Sequence, residues 1–270
     1  MLRFIPTPIG NPQDITIRAL REFEKATLFL CEDTRETKRL LGILSQRFEF
    51  SMPNADFLSF HEHNGKERLV EVSSRLIDED VVYVSDAGMP IISDPGQILV
   101  EYCQQNSIEY DILPGASAVV TAYASSGFAE GEFTFWGFLP PKGSARSSQL
   151  SKVMNSSVNS ILYEAPHRLE KLIVEIVSID ENREIFLAKE LTKKFQRYYR
   201  GLAKDILTQL DTINLKGEWV VVIRAKESEQ KALYLDDILH LDIAPKIKAK
   251  LLSKITNQTT KEWYQKIINS

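Results

Sequence analysis

Carboxylate side chains stand at the ends of three apolar runs, where a reaction could use them to accept a proton. Glu32 and Asp33 directly follow one run, and Glu164 and Glu190 end two others. Because the active sites of open α/β sheets collect at the carboxyl ends of strands, Glu32, Glu164 and Glu190 are our candidates for a catalytic general base. Asp33 has a second interpretation, since an aspartate in front of a helical pattern is typical of an N-cap.

Three histidines lie in two further polar stretches, FHEHN from residue 60 and YEAPH from residue 163. His61 and His63 are two residues apart, so on a strand both point to one side and Glu62 points to the other. This spacing can hold zinc, but no third ligand cluster is visible in the sequence, and we predict no metal site. Contact with a substrate and exposure to solvent are the other interpretations. His167 and Arg168 fall in the first turn of a predicted helix.

Two proline-containing loops follow predicted strands, as loops around a nucleotide do, yet they lack the glycines of a phosphate cradle. They read PTPIGN from residue 6 and SDAGMPIISDPG from residue 85. Pro6 and Pro8 have no N–H group to offer an anion, and Asp86 and Asp94 would repel one. A ligand with positive charge and no phosphate fits better, and S-adenosyl-L-methionine is such a ligand. The alternative is that both loops are simply tight connections between a strand and a helix.

The segment 189–204 combines cations with aromatic rings. It reads KELTKKFQRYYRGLAK and holds a single acid, Glu190, among six Lys and Arg residues. Cations neutralise phosphates and aromatic faces stack unpaired bases, so the segment predicts contact with RNA. The alternative is an exposed basic strand or loop whose aromatic rings pack inward. Lys142 and Arg146 lie in a stretch that we expect to be a mobile loop over the substrate. The predicted RNA-binding residues are Arg35, Lys142, Arg146, Arg168, Lys193, Lys194, Arg197, Tyr198 and Arg200.

Short apolar runs alternate with helical patterns over most of the chain, which predicts an α/β fold. Residues 65–79 and 167–179 carry amphipathic helical stripes, and Asp14 is the predicted N-cap of the first helix. The predicted strands are 2–5, 27–31, 81–85, 108–113, 133–138, 159–164, 184–190 and 218–224.

The bulk composition is that of an ordinary globular enzyme. Of the 270 residues, 43% are hydrophobic and 26% are charged, which excludes a disordered chain. The net charge of -4 gives no global field toward nucleic acid, so any RNA contact must be local. Cys31 and Cys103 lie in apolar surroundings, as reduced thiols do. No signal-peptide pattern and no membrane-spanning run is visible, so we expect a cytoplasmic protein.

A domain boundary is predicted at residues 113–116, where a strand ends at LPGA and a helix of small residues follows. We therefore expect two α/β domains, residues 1–114 and 115–225, with a cleft between them. Residues 226–270 have a different composition, a polar linker followed by three short helical patterns. Residues 241–270 hold six lysines against two acids, which predicts a second RNA contact or an ordinary solvated helical face.

Motif blocks that occur in one order across residues 4–201 resemble the branch of the tetrapyrrole methylase superfamily that methylates ribosomal RNA. The blocks read PTPIGN, CEDTRETKRLL, FHEHN, VSDAGMPIISDPG, LPGASAVVTA, GFLPPKG, YEAPHRL and ELTKKFQRYYRG, and KGEWVVVI at 216–223 extends the match. The corrin and uroporphyrinogen methylases of the superfamily have a glycine-rich first loop where this chain has PTPIGN.

The resemblance implies two α/β domains around a cleft, a homodimer, and S-adenosyl-L-methionine between the lobes. It also implies 2'-O-methylation of a cytidine, cytidine 1402 in the usual rRNA numbering, in the 16S rRNA of the small ribosomal subunit. Methylation of a small substrate such as a tetrapyrrole, and non-catalytic binding to the ribosome, are the alternatives. Carried onto this sequence, the cofactor-binding residues are Pro8, Asp86, Ala87, Gly88, Ile92, Ser93, Ser117, Ala118, Tyr163, Gly217 and Glu218.

Overall fold

The structure of the chain, a computed structural model, describes residues 1–61, 64–93, 95–128, 131–226 and 235–269. The chain divides into two compact units, residues 1–226 and 227–270. No helix within the described ranges is both long and apolar enough to cross a membrane. Glu62, His63 and Asp94 lie outside the described residues, and so do residues 227–231 of the predicted polar linker, KESEQK at 226–231.

Five parallel strands form the first sheet of the larger unit. They are β1 (Leu2–Phe4), β2 (Leu28–Cys31), β3 (Asp56–Ser59), β4 (Val81–Val84) and β5 (Tyr110–Ile112), in the order β3-β2-β4-β1-β5. Helices cover both faces, so β2 and β4 are buried at every residue. Such strands are continuous apolar runs rather than alternating patterns, which is why the sequence predicts them.

The helices of the first sheet are divided between its two faces. They are α1 (Ile17–Lys25), α2 (Thr34–Arg47), α3 (Gly65–Val72), α4 (Arg75–Asp78) and α5 (Gln97–Gln105). Phe29 and Val82 pack against α1 and α2, whereas Leu28 and Tyr83 pack against α3, α4 and α5. This layered packing leaves the carboxyl ends of the strands, and the loops that follow them, to form a site.

The second sheet is mixed. Its strands are β6 (Phe133–Phe138), β7 (Asn159–Glu164), β8 (Glu184–Lys189), β9 (Arg197–Leu202) and β10 (Trp219–Ile223), in the order β6-β7-β10-β8-β9. Only β6 and β7 run parallel. Helices α7 (Gly143–Met154), α8 (Pro166–Ile179) and α9 (Ala203–Leu210) pack on one face, and α6 (Ala118–Ser126) packs on the other. Ile9, from the loop after β1, also packs on the α6 face and joins the two sheets.

The smaller unit contains three helices within its described residues, as the sequence predicts. They are α10 (Leu235–His240), α11 (Pro245–Ile255) and α12 (Thr260–Asn269). Ile238, Ala249, Leu252 and Trp263 form their shared core, and the Trp263 indole N–H donates to the Thr256 hydroxyl at 2.7 Å.

Four sequence predictions about the elements are wrong. Strands β3 and β9 are not among the predicted strands. The single helix predicted over 65–79 is two helices, because the chain turns at Ser73 and Ser74. The predicted apolar stripe was Leu69, Val72, Leu76 and Ile77, but Ile77 is 65% exposed. The N-cap of α1 is Thr16, whose hydroxyl accepts from the Ala19 N–H, while Asp14 ends a short 3-10 turn. The predicted α/β class with a small helical tail is confirmed, and the boundary near residue 114 stays a prediction.

Candidate active site

A cavity of about 410 Å³ lies between the loops of the first sheet and the α6 face of the second. This volume is in the range of small-molecule sites, roughly 300–1,000 Å³. Its walls come from the loops after β1 and β4, the start of α6, the end of β7, and the ends of β8 and β10 at Ala188 and Val220. Both sheets therefore contribute to one site.

Backbone contacts fix the loop after β1 against its neighbours. Thr7 and Gly88 exchange two backbone hydrogen bonds of 3.0 Å, and the Thr7 hydroxyl donates to the Ser85 carbonyl at 3.3 Å. A Cβ on Gly115 would lie 2.6 Å from the Pro6 Cβ, so only glycine permits this approach. The prolines of PTPIGN thus give a rigid wall, and the loops after β1, β4 and β5 act as one surface.

The loop after β4 holds an uncommon backbone conformation where it enters the cavity. Ile91 has φ +76° and Ser93 has φ +65°, both in the left-handed region that β-branched residues in particular avoid. The Tyr83 hydroxyl donates to the Pro95 carbonyl at 2.6 Å and holds the loop from behind. The Ser93 hydroxyl lies 3.4 Å from where a Cβ of Gly137 would be, so the loop reaches the second sheet. Backbone strain of this kind concentrates at ligand sites.

Eight of the eleven predicted cofactor-binding residues line the cavity. They are Ala87, Gly88, Ile92, Ser93, Ser117, Ala118, Tyr163 and Glu218. Pro8 is buried within the first loop, Asp86 precedes the lining residue Ala87, and Gly217 lines a different cavity. Sequence reasoning missed Ile9, Met89, Phe138 and Leu191, because apolar residues in such positions look like ordinary core.

The charge of the lining tests whether the cavity fits S-adenosyl-L-methionine. Among the described residues that line it none is basic, and Glu164 and Glu218 are the charged ones. A cavity without cations is poorly suited to a phosphate and well suited to a ligand with an ammonium and a sulfonium. The apolar remainder, including Ile9, Leu191 and Phe138, can cover the uncharged part of such a ligand. The residues present therefore fit this cofactor.

Three carboxylates gather beside the cavity, after β2 and β4. The Asp33 backbone N–H donates to Asp86 Oδ1 at 3.2 Å. Burial, followed by the negative charge of Glu32, raises the pKa of Asp86. Asp33 caps α2 and pairs with Arg35 at 2.6 Å, and the hydrogen bonds from Arg35 hold the pKa of Asp33 well below its usual range. Asp33 is thus occupied as an N-cap, and Glu32 stays a candidate base.

Glu164 is held between two arginines. Its side chain is fully buried, Oε1 accepts from the Ala165 N–H at 2.9 Å and lies 2.9 Å from Arg168 Nε, and Oε2 lies 3.4 Å from Arg146. Arg146 is itself 2% exposed and also binds Glu175 at 2.8 Å. Because one backbone hydrogen bond and two ion pairs already use both oxygens of the Glu164 carboxylate, the geometry favours a structural role for it.

This arrangement corrects two sequence expectations. Arg146 does not lie in a mobile loop; it lies in α7, buried, and its guanidinium is not available to RNA phosphate. Arg168 donates to the Leu139 carbonyl at 2.6 Å and its side chain is 18% exposed, so it is also committed to the fold. Lys142, just before α7, is exposed, and its contact with RNA stays a prediction.

Glu190 occupies the corner between β8 and β10. Its Oε1 accepts from the Glu218 N–H at 2.9 Å and from Lys193 at 3.2 Å. Burial alone would raise the pKa of Glu190, but these hydrogen bonds outweigh it and hold the pKa below its usual range. Its side chain packs over Gly217, where a Cβ would lie 2.7 Å from the Glu190 Cγ. A carboxylate stabilised in this way is a weak proton acceptor, which argues against Glu190 as the base.

The family of the chain is decided by its match to the family model described as Tetrapyrrole (Corrin/Porphyrin) Methylases, over residues 1–207. The chain belongs to this family. Among curated proteins, the methylase is 45% identical to Ribosomal RNA small subunit methyltransferase I of Campylobacter fetus subsp. fetus, covering 99% of this chain and 100% of that one. It is 42% identical to the protein of the same name in Helicobacter pylori (strain J99), with 98% and 96% covered. The resemblance inferred from the motif blocks is confirmed.

Solved structures show the same fold at low sequence identity. Cobalt precorrin-4 methyltransferase has a TM-score of 0.59 at 16% identity, covering 83% of this methylase and 94% of that chain. Uroporphyrin-III C-methyltransferase from Thermus thermophilus, complexed with S-adenosyl homocysteine, has a TM-score of 0.56 at 13% identity, covering 82% and 96%. Membership of a methylase family, together with relatives named as methyltransferases, bears out S-adenosyl-L-methionine as the cofactor.

The basic and aromatic segment of the methylase forms strand β9, at the edge of the second sheet, and the loop before it. Lys194 and Arg197 are exposed, and the Lys194 ammonium lies 5.6 Å from the centre of the Phe195 ring. Tyr198 packs on Phe186 and keeps 44% of its surface exposed. The segment therefore offers cations and rings to solvent, as an RNA-binding edge requires.

Two cations of this segment, Lys193 and Arg200, form ion pairs within the chain. Lys193 pairs with Glu190 and with Glu218 at 2.9 Å, and Arg200 pairs with Glu184 at 2.7 Å. Each remains partly exposed, at 28% and 44% of its side chain, so neither is shielded from solvent.

The histidines contribute no metal site within the described residues, where no cluster of His, Cys, Asp and Glu could hold an ion. The backbone N–H of His61 donates to the Asn64 side chain at 2.8 Å, and His167 is exposed on α8.

Proposed function

We propose that this methylase transfers the methyl group of S-adenosyl-L-methionine to the ribose 2'-hydroxyl of a cytidine in 16S rRNA, cytidine 1402 in the usual numbering. The observation that carries the proposal is the similarity, over 98% or more of this chain, to relatives named Ribosomal RNA small subunit methyltransferase I. The exposed basic and aromatic residues at β9 support an RNA substrate, because a methylase of a small ring does not need such a surface. A cytoplasmic homodimer that acts on the small ribosomal subunit completes the proposal.

The cavity residues hold and orient the methyl donor. S-adenosyl-L-methionine supplies a methyl group that a positively charged sulfur activates. The rigid loops after β1, β4 and β5 present backbone groups together with the hydroxyls of Ser93 and Ser117. Ile9 and Leu191 exclude water from the cavity wall. Most of the catalytic advantage then comes from alignment of donor and acceptor, because methyl transfer is an in-line displacement.

The acidic cluster beside the cavity divides two tasks. Asp86, with Glu32 and Asp33 around it, provides negative charge that favours the cationic end of the donor. Glu32 would accept the 2'-hydroxyl proton of a ribose that is aligned with the activated methyl group of the bound donor. Glu32 is preferred over Glu164 and Glu190 because those two carboxylates already accept hydrogen bonds that hold them in the fold.

Two variants separate these tasks. Asp86→Ala is expected to weaken the binding of S-adenosyl-L-methionine, measured by titration calorimetry. Glu32→Gln is expected to weaken cofactor binding less than Asp86→Ala does and to lower kcat roughly a hundredfold or more, the usual contribution of a general base. A normal kcat in Glu32→Gln, or normal cofactor affinity in Asp86→Ala, contradicts the corresponding role.

The acceptor is tested with labelled S-adenosyl-L-methionine and three candidate substrates: small ribosomal subunits, naked 16S rRNA and uroporphyrinogen. Label in ribosomal RNA and none in the porphyrinogen supports the proposal. Label in the porphyrinogen alone identifies a small-substrate methylase, and cofactor binding without transfer to any acceptor identifies a non-catalytic binder. Sedimentation at several protein concentrations tests the homodimer.

A further inference from the structure

A second cavity, of about 520 Å³, lies at the end of the second sheet and has a different lining from the first. It contains three basic residues, Lys189, Arg197 and Lys216, and two aromatic residues, Phe195 and Tyr199. The first cavity has no basic residue among its described lining residues. The two cavities therefore suit ligands of opposite charge.

The two cavities lie on opposite faces of the second sheet and share one corner. Ala188 and Val220 are paired neighbours that face the first cavity, while the adjacent residue Lys189 points to the other face and lines the second. The corner consists of Glu190 and Glu218, joined by a backbone hydrogen bond and by the Glu190 carboxylate. A flexible chain molecule that passes around this corner can reach both cavities.

One cation of the second cavity, Lys189, is held in a defined position by the fold. Lys189 is 7% exposed; its ammonium donates to the Asn214 carbonyl and lies 5.5 Å from the centre of the Trp219 ring. The one acid of the lining, Glu190, is already neutralised by Lys193. Arg197 and Lys216 are exposed at the mouth. The cavity is thus positively charged, and it is built from a buried cation and not only from surface lysines.

Phe195 gives the cavity an aromatic surface that faces solvent. Its ring is 64% exposed, whereas Tyr199 of the same lining packs against Trp219 at 6.0 Å between ring centres. An exposed phenyl ring costs solubility unless it has a partner, and a ring beside cations is the arrangement that stacks bases of single-stranded nucleic acid.

We propose that the second cavity binds an unpaired nucleotide of the substrate RNA, separate from the nucleotide that is methylated. Its base stacks on Phe195, and its phosphate pairs with Arg197 and Lys216. The inference rests on the proposed function, because it takes RNA as the substrate. It adds a second anchoring point, on the opposite face of the sheet, that fixes the register of the RNA before methyl transfer.

The test uses a fluorescently labelled single-stranded RNA pentanucleotide and measures its affinity at several salt concentrations. Phe195→Ala is expected to weaken binding roughly ten- to hundredfold, and Phe195→Tyr, which keeps a stacking ring, to bind as the wild type does. Lys216→Gln is expected to lower the slope of log affinity against log salt by about 0.7. Lys66→Gln, an exposed lysine of α3, is the charge-matched control and is expected to change neither quantity.

Failure of the second-cavity inference and failure of the proposed rRNA methylation give different results. All variants should bind S-adenosyl-L-methionine normally, since the first cavity is unchanged, and Phe195→Ala should raise KM for small subunits more than it lowers kcat. If Phe195→Ala and Lys216→Gln bind the pentanucleotide as the wild type does, the inference is overturned even where rRNA is methylated. If the wild type methylates no RNA yet binds the pentanucleotide through Phe195, the proposed acceptor is wrong and the nucleotide site stands.

Discussion

Replacing Glu164 with glutamine tests whether its carboxylate stabilises the fold or takes part in catalysis. Glu164 is fully buried between Arg168 and Arg146, and Arg146 is 2% exposed. Removing one partner of a buried ion pair costs about 3–5 kcal/mol, because the remaining charge is left in a low-dielectric site. Arg146 keeps Glu175 at 2.8 Å, so we expect the lower end, about 3 kcal/mol. For a unit of this size that loss lowers Tm by roughly 6–12 °C.

The assay is thermal unfolding followed by circular dichroism, together with kcat measured well below the lowered Tm. Glu164→Gln should lose stability and keep most of its kcat. Glu170→Gln, an exposed position on the same helix, is the matched control and should unfold at the wild-type temperature. An unchanged Tm combined with a kcat reduced a hundredfold would refute the structural assignment and return Glu164 to the list of bases.

Three further outcomes follow from particular contacts. Gly217→Ala places a Cβ 2.7 Å from the Glu190 Cγ at φ +118°, which strains the backbone by about 1–3 kcal/mol. S-adenosyl-L-methionine should therefore bind more weakly in calorimetry. The control is Gly42→Ala, whose added Cβ meets nothing within 4 Å and should not affect binding. Arg197→Gln should weaken RNA binding and flatten its salt dependence by about 0.7 in slope; an unchanged slope removes Arg197 from the RNA contacts. Burial raises the pKa of the Cys31 thiol to about 11, so Cys31 should react with a disulfide reagent at pH 8 only after unfolding, and rapid labelling of the native protein would contradict its burial.

The sequence predicts all six central strands but only two of the four edge strands, β5 and β6, and the difference has a physical reason. β2 and β4 are covered on both faces, so each is an apolar run. The two strands that the sequence did not predict, β3 and β9, both lie at sheet edges and keep polar or charged residues exposed. Edge strands avoid apolar runs because an exposed apolar edge would pair with another chain.

The candidate site shows the same division between local and tertiary information. The loops after β1 and β4 were predicted to hold a cation because their prolines and aspartates act locally. Arg146 was misplaced because its partners, Glu164 and Glu175, are 18 and 29 residues away, and only the packing of α7 against α8 buries it. Phe138 lines the cavity without any polar signal in the sequence. Local chemistry was therefore readable from the sequence, whereas burial by distant residues was not.

We propose that the methyl group goes to a ribose oxygen of one cytidine in the small-subunit rRNA. It is tested most directly by incubating the methylase with S-adenosyl-L-methionine and small subunits from a strain that lacks the endogenous enzyme, then analysing the rRNA by mass spectrometry at nucleotide resolution. We expect 2'-O-methylcytidine at a single position, cytidine 1402. A methyl group on a base, on another nucleotide, or on no RNA at all would contradict it.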